Sequence, residues 1–279
     1  DADRTDARRF EEQDNSTLES SYSFQEAYES LMQTVEEFEK SNKTIDLLRS
    51  KMSRSCDVKA EEVSGIYTLS VPTGGGKTFA SLRYALKHAY LHNKKRIIYV
   101  VPYTTILEQN ADAVRNIIDD PAAVLEHHAN ILEDWNREED YYGDPLHKKM
   151  QLARDNWDYP IIFTTVVQFL DAFFQKGTRK TRRLHHLTES VIIFDEVQSV
   201  PYQHFALFNT AVNFLHYVGK SSVLLCTATQ PAVDHMEYPM RLSEPAEIVE
   251  QLDKVATAFE RVSIHLEIDK TGWSAVQLA

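Results

Sequence analysis

Ile66-Tyr67-Thr68-Leu69-Ser70-Val71, followed at once by Pro72-Thr73-Gly74-Gly75-Gly76-Lys77-Thr78, is the stretch that decides the fold. Its first half is a short, β-rich apolar run stopped by proline. The second half is a glycine-rich turn, after which Phe79, Leu82, Leu86 and Ala89 recur at helical spacing. A strand, a glycine loop and a helix in that order make a cradle for phosphate. Glycines let backbone N–H groups turn inward and approach phosphate oxygens, and the helix N-terminus adds the positive end of its dipole. Lys77 would reach the β- and γ-phosphates of a nucleotide, and the Thr78 hydroxyl would coordinate Mg²⁺. One position departs from the general pattern: Val71 stands where that pattern has Gly.

Downstream, the alternation continues. Arg96–Val101 is the next apolar run, again stopped by proline, and Ile161–Val166, Val191–Phe194 and Val223–Cys226 read as further strands. Leu107, Ala111, Val114 and Ile118 stripe one helix between them; Phe208, Ala211, Val212, Leu215 and Val218 stripe another. Short, unbroken apolar strands alternating with helices predict an α/β fold, with a mostly parallel sheet covered by helices on both faces. Right-handed crossovers then place ligands at the C-terminal ends of the strands. Upstream, Phe24, Ala27, Leu31, Val35 and Phe38 form one stripe of an amphipathic helix, read as ordinary packing within a helical linker.

Val191-Ile192-Ile193-Phe194-Asp195-Glu196 is a hydrophobic strand ending in two carboxylates. Adjacent carboxylates leave a strand end in different directions, so they can hold different jobs. Asp195 would hold Mg²⁺ through its waters, because that ion dehydrates reluctantly. Glu196 would orient and deprotonate the water that attacks the γ-phosphate.

Composition sets the outer bounds. The chain has 279 residues, 43% hydrophobic, and a net charge of −12. That is enough apolar material for a real core and excludes intrinsic disorder for most of the chain. No apolar run is long enough to span a membrane, and two cysteines, Cys56 and Cys226, make no disulfide scaffold, which points to a reducing, cytoplasmic setting. The acidic balance argues against a nucleic-acid partner only until it is divided by region. Residues 1–62 carry 16 acids and 9 bases and residues 234–279 carry 9 and 4, whereas 63–233 has 17 of each. The motif-bearing middle is neutral. Within it Lys176, Arg179, Lys180, Arg182 and Arg183 form a basic run that reads equally as a solvated loop or a phosphate-contacting patch.

Gly-Lys-Thr, Asp195-Glu196-Val197-Gln198 and Thr227-Ala228-Thr229 resemble motifs I, II and III of superfamily 2 helicases. The strings PTGGGKT (72–78), VVPYTTILEQN (100–110), LEHHAN (125–130), FTTVVQFLDAFF (163–174), SVIIFDEVQSVP (190–201) and TATQP (227–231) are similar to the helicase part of the type I CRISPR-associated helicase-nucleases. Gln198 stands where some members carry His. The resemblance implies a RecA-like P-loop domain that binds ATP and Mg²⁺ through 72–78, Asp195 and Glu196. It implies that Pro102, Tyr103, Thr104, Thr164, Thr165 and Gln168 hold single-stranded DNA through hydroxyls and amides, with capping or sheet packing as the alternative for each threonine. Gln198, Thr227, Ala228 and Thr229 would couple hydrolysis to movement.

The same resemblance divides the chain into a remnant of an HD nuclease domain and linker (1–22), a linker helix region (23–62), a first RecA-like domain (63–233) and a connector towards a second one (234–279). Asp3, or Asp1, would be the nuclease's last metal ligand, and Arg261–Ile268 a strand leading onward. Opening without Met and with few residues after Pro231, the chain reads as part of a longer protein. The second domain would supply an arginine finger, so this part is expected to bind ATP–Mg²⁺ and turn over slowly. Partners implied are single-stranded DNA, an RNA-guided CRISPR surveillance complex and the remaining domains, with no membrane. The alternatives are another superfamily 2 enzyme, such as a restriction translocase or RNA helicase, and a docking module with a vestigial nucleotide site. Glu126-His127-His128 and His185-His186 lack supporting ligands at metal-binding spacing and are not taken as zinc sites.

Overall fold

A computed structural model of the chain describes residues 22–40, 43–72, 74–118, 120–128, 153–176, 178–227 and 238–259. Asp1, Asp3, Thr73, Ala228, Thr229 and the run 261–268 lie outside them, as do the side chains of Arg179 and Lys180. Six strands, β1 (Ile66–Ser70), β2 (Arg96–Val101), β3 (Val124–His127), β4 (Ile161–Thr165), β5 (Ser190–Asp195) and β6 (Ser222–Thr227), form one sheet. Its order is β1-β6-β5-β2-β4-β3, and every pair is parallel.

Parallel strands buried on both faces are built mainly of apolar residues, and these are, with a few buried hydroxyls such as Thr68, Thr164 and Ser222 among them. Alternate residues feed two cores. Leu69, Tyr99, Phe163, Ile193 and Leu224 face one side, where helices α1 (Phe24–Glu39), α2 (Thr44–Lys59), α3 (Lys77–Leu91) and α4 (Thr104–Arg115) pack. Ile98, Ile162, Phe194 and Leu225 face the other, covered by α5 (Val166–Phe174) and α7 (Phe205–Tyr217), with α6 (Thr178–His186) beside α5. The expected parallel sheet with helices on both faces is what the chain forms.

Two expectations change. The 23–62 region is built into the domain rather than leading to it: Phe24, Leu31, Met52 and Cys56 are buried in the same core as α3. An ion-pair cluster fastens it, in which Asp57 meets Arg83 Nε at 3.0 Å and Lys87 Nζ at 2.8 Å. Cys56 is fully buried, because the helix turns its small thiol inward. Part of the acidic tail also folds back. Thr68 N donates to the Ala246 carbonyl and Ile248 N to the Thr68 carbonyl, both at 2.9 Å, so 246–248 covers the outer edge of β1. Glu247 accepts hydrogen bonds from the Thr68 and Ser70 hydroxyls there, and α8 (Leu252–Ala258) adds Val255 to the core.

Candidate functional site

The strand order brings the C-terminal ends of β1, β6 and β5 side by side, and the glycine loop leaves β1 at that edge. Gly76 takes the position before α3 with φ of +80°, a left-handed conformation that any Cβ would strain. Gly75 is required for another reason. A Cβ there would lie 2.4 Å from Val71 Cγ1 and 2.9 Å from the Pro72 carbonyl oxygen, so the tightly folded loop leaves no room for a side chain. Arg49 of α2 donates to the Gly74 carbonyl from both Nε (2.9 Å) and Nη2 (2.6 Å), and its Nη1 pairs with Asp46 at 2.9 Å. The loop thus has a support from outside its own strand and helix. Between α1, α2 and the loop lies a cavity of about 540 Å³, lined by Val35, Arg49, Gly74, Lys77, Asp195 and Glu196.

Lys77 points at both carboxylates, bonding Glu196 Oε1 and lying 3.4 Å from Asp195 Oδ1. Burial works against the Lys77 ammonium, but Asp195 and Glu196 outweigh it and raise its pKa above the usual lysine value. Burial pushes the Asp195 carboxyl up, Lys77 pulls against it and Glu196 adds to the rise. Glu196 adopts φ of +54°, which turns its side chain away from the course of β5, and Ser199 holds its carbonyl at 2.7 Å. From Glu196 a chain of bonds runs across the edge: Gln198 Nε2 donates to Glu196 Oε2, and Gln198 Oε1 accepts from Thr227 Oγ1 at 2.5 Å. On the other flank, Thr78 Oγ1 lies 3.3 Å from Asn110 Oδ1, and Asn110 Nδ2 lies 3.4 Å from Asp195 Oδ2. The Thr78 hydroxyl and the Asp195 carboxylate offer oxygen donors, the kind a hard divalent cation takes, so these two residues fit such an ion.

A family model described as DEAD/DEAH box helicase matches residues 66–236, more than half of the chain. The chain belongs to the DEAD/DEAH box helicases. It is 26% identical over 186 residues to the CRISPR-associated nuclease/helicase Cas3 of Haloferax volcanii, a match covering 60% of this chain and 19% of that protein. Crystal structures of T. fusca Cas3 with ADP and with AMPPNP each superpose with a TM-score of 0.51 at 20% identity. Those matches cover 63% and 64% of this helicase chain and 20% of theirs. The shared architecture is that of a Cas3-like first RecA-like domain, and the chain spans about a fifth of the length of the relatives it matches.

On the β2 and β4 side of the same edge, the helicase places its expected nucleic-acid residues less uniformly. Pro102, Tyr103 and Thr104 follow β2, with Tyr103 62% exposed. Thr165 caps α5, its hydroxyl accepting from Gln168 N at 3.4 Å. Thr164 is a correction: it is fully buried, and its hydroxyl donates to the His127 carbonyl, so it has no surface to offer a strand. Gln168 Oε1 accepts from Arg183 Nη1 at 2.9 Å. Arg183 in turn is buried, bonds the Asp155 carbonyl and lies over the Trp157 ring, which removes it from the basic patch. His127 and His128 are also buried.

Sequence reasoning missed Arg49 and Asn110. Arg49 had no signal, because it lies outside any motif. Asn110 had one, since it ends the string VVPYTTILEQN (100–110) that carries the family resemblance, yet no role was attached to it.

Proposed function

We propose that this chain is the ATP-hydrolysing first RecA-like domain of a type I CRISPR helicase-nuclease, which couples ATP hydrolysis to movement along single-stranded DNA. The observation that carries the reading is the bonded series from Thr78 through Asn110, Asp195, Lys77, Glu196 and Gln198 to Thr227, which joins three sequence motifs at one sheet edge. Such a series can report the state of one end to the other.

In this reading Pro72 and residues 73–76 cradle the phosphates with backbone amides, and Lys77 exchanges its carboxylate partners for β- and γ-phosphate oxygens. That exchange frees Glu196 to accept a proton from the attacking water as the bond to the γ-phosphorus forms and the β–γ bridging bond breaks. Thr78 and Asp195 would hold Mg²⁺, which when bound neutralises charge on the phosphates. Gln198 and Thr227, with Ala228 and Thr229 beyond them, link Glu196 to the strand-binding side. Pro102, Tyr103, Thr104, Thr165 and Gln168 are the proposed contacts for single-stranded DNA. The surveillance-complex partner, the nuclease remnant at Asp3 and the slow turnover of this part alone belong to the same proposal.

The test is a nucleotide-binding and ATPase measurement on the full-length protein with and without Lys77→Ala. Wild type should hydrolyse ATP faster with single-stranded DNA than with RNA, and the variant should lose nucleotide binding and DNA degradation. Retention of both by the variant would make the nucleotide site vestigial and overturn the reading.

A further inference from the structure

We propose that Asn110 is a positioning residue that sets the two metal-holding groups of this site, Thr78 and Asp195, against each other. The proposal rests on the nucleotide reading and adds to it a residue from a helix that carries no phosphate-binding motif. α4 is fixed on the sheet by the buried stripe Leu107, Ala111 and Val114. Asn110 sits on the flank of that stripe, half-buried, and faces the gap between the first turn of α3 and the end of β5. Its amide oxygen takes the Thr78 side at 3.3 Å and its amide nitrogen the Asp195 side at 3.4 Å.

The chemistry of the position is selective. Thr78 offers a hydroxyl donor and Asp195 a carboxylate that only accepts, so the residue between them must accept on one side and donate on the other. A carboxamide does both without adding charge. A second carboxylate would repel Asp195, and an apolar side chain would leave two half-buried groups facing each other without a bridge. Both contacts are at the long end of hydrogen-bonding distance, so the bridge orders the pair without closing the space between them. Thr78 and Asp195 come from elements separated by more than a hundred residues of chain; the sheet joins those elements through β6 but does not fix how the two side chains face each other. Asn110 supplies that fixing from the helix after β2. Groups that orient metal ligands in this way typically contribute about 10- to 100-fold in metal affinity.

The test reads metal-dependent nucleotide binding. Affinity for N-methylanthraniloyl-ADP is measured in the full-length protein at saturating Mg²⁺ and in EDTA, for wild type, Asn110→Ala and Asn110→Ser. Serine is polar but too short to bridge both partners, and it serves if the alanine variant does not fold. The expected result is that the ratio of the two affinities falls about tenfold in the variants. An equal loss with and without Mg²⁺, or no loss, overturns the role of Asn110. If wild type itself shows no nucleotide binding and matches Lys77→Ala, the nucleotide reading fails instead.

Discussion

The two ends of this parallel sheet are both rich in polar side chains, and they use them differently. Where the strands begin, polar groups are closed largely by backbone. His88 is bonded to the Ala60 carbonyl and the Ser222 hydroxyl, Ser221 Oγ donates to the Leu187 carbonyl, and Ser190 Oγ to the His186 carbonyl. Where the strands end at β1, β6 and β5, side chains close on one another through Lys77, Asp195, Glu196, Gln198 and Thr227. A group closed by backbone can change partner only by unfolding something. A group closed by another ionisable side chain can trade it for a ligand. On the proposed reading the chemistry of the domain lies at the end where side chains close on one another, although polarity lies at both.

The largest expected effect breaks the charged end without unfolding it. Glu196→Gln keeps the length and hydrogen-bonding shape of the side chain and removes the proton acceptor. ATP hydrolysis by the full-length protein should fall by about 10²- to 10⁴-fold, while nucleotide affinity stays within a few fold. Phosphate release and equilibrium binding on the same sample separate the two. A variant that hydrolyses at the wild-type rate would show that Glu196 is a partner for Lys77 and no base.

At the other end the same kind of change should cost stability instead. His88 is completely buried against Tyr84 and His92, and His88→Ala leaves the Ala60 carbonyl and Ser222 hydroxyl unmatched beside a cavity. A loss of about 2–4 kcal/mol in the urea unfolding free energy follows. Burial lowers the His88 pKa to about 3, with the Ala60 bond opposing and His92 and Lys94 reinforcing the shift. Below about pH 6.5 the unfolded ring takes a proton that the folded ring refuses. Stability should therefore fall with acidification by up to about 1.4 kcal/mol per pH unit from this residue. Unfolding midpoints at pH 7 and pH 5 should differ less in His88→Ala than in wild type. His186, lowered to about 4 mainly by burial, supplies a slope common to both proteins.

This contrast explains what could be read in the sequence. The phosphate loop and the acidic pair were legible because each is a local string whose chemistry is set by neighbours in the chain. β2 was legible to the residue, since apolar strands stopped by proline or charge have sharp ends. β3 and α5 were not. Val124–His127 is only four residues long, and the run from Phe163 to Phe174 passes from strand to helix with no glycine or proline to mark the change, only Thr165 as a cap. Arg49 and Asn110 act across 25 and 32 residues of sequence from the loop atoms they meet, a relation that exists only after folding.

The smallest expected effect tests a place where the contrast fails by position. Thr164 lies at the chemical end of the sheet, yet its hydroxyl is closed by the His127 carbonyl as if it belonged to the opposite end. Tyr103, at the next strand, carries an exposed ring at the same edge. If closure by backbone rather than location decides what a group can do, the two residues should respond oppositely. Thr164→Val should cost about 1 kcal/mol of stability and leave single-stranded DNA binding unchanged. Tyr103→Ala should leave stability nearly unchanged and weaken DNA binding by about 1–3 kcal/mol, the worth of one base stacked on an aromatic ring. Thermal melts and fluorescence anisotropy with a labelled oligonucleotide read the two quantities independently. A Thr164→Val variant that binds DNA poorly at full stability would mean that the strand end opens when DNA arrives, and position would then outrank partner.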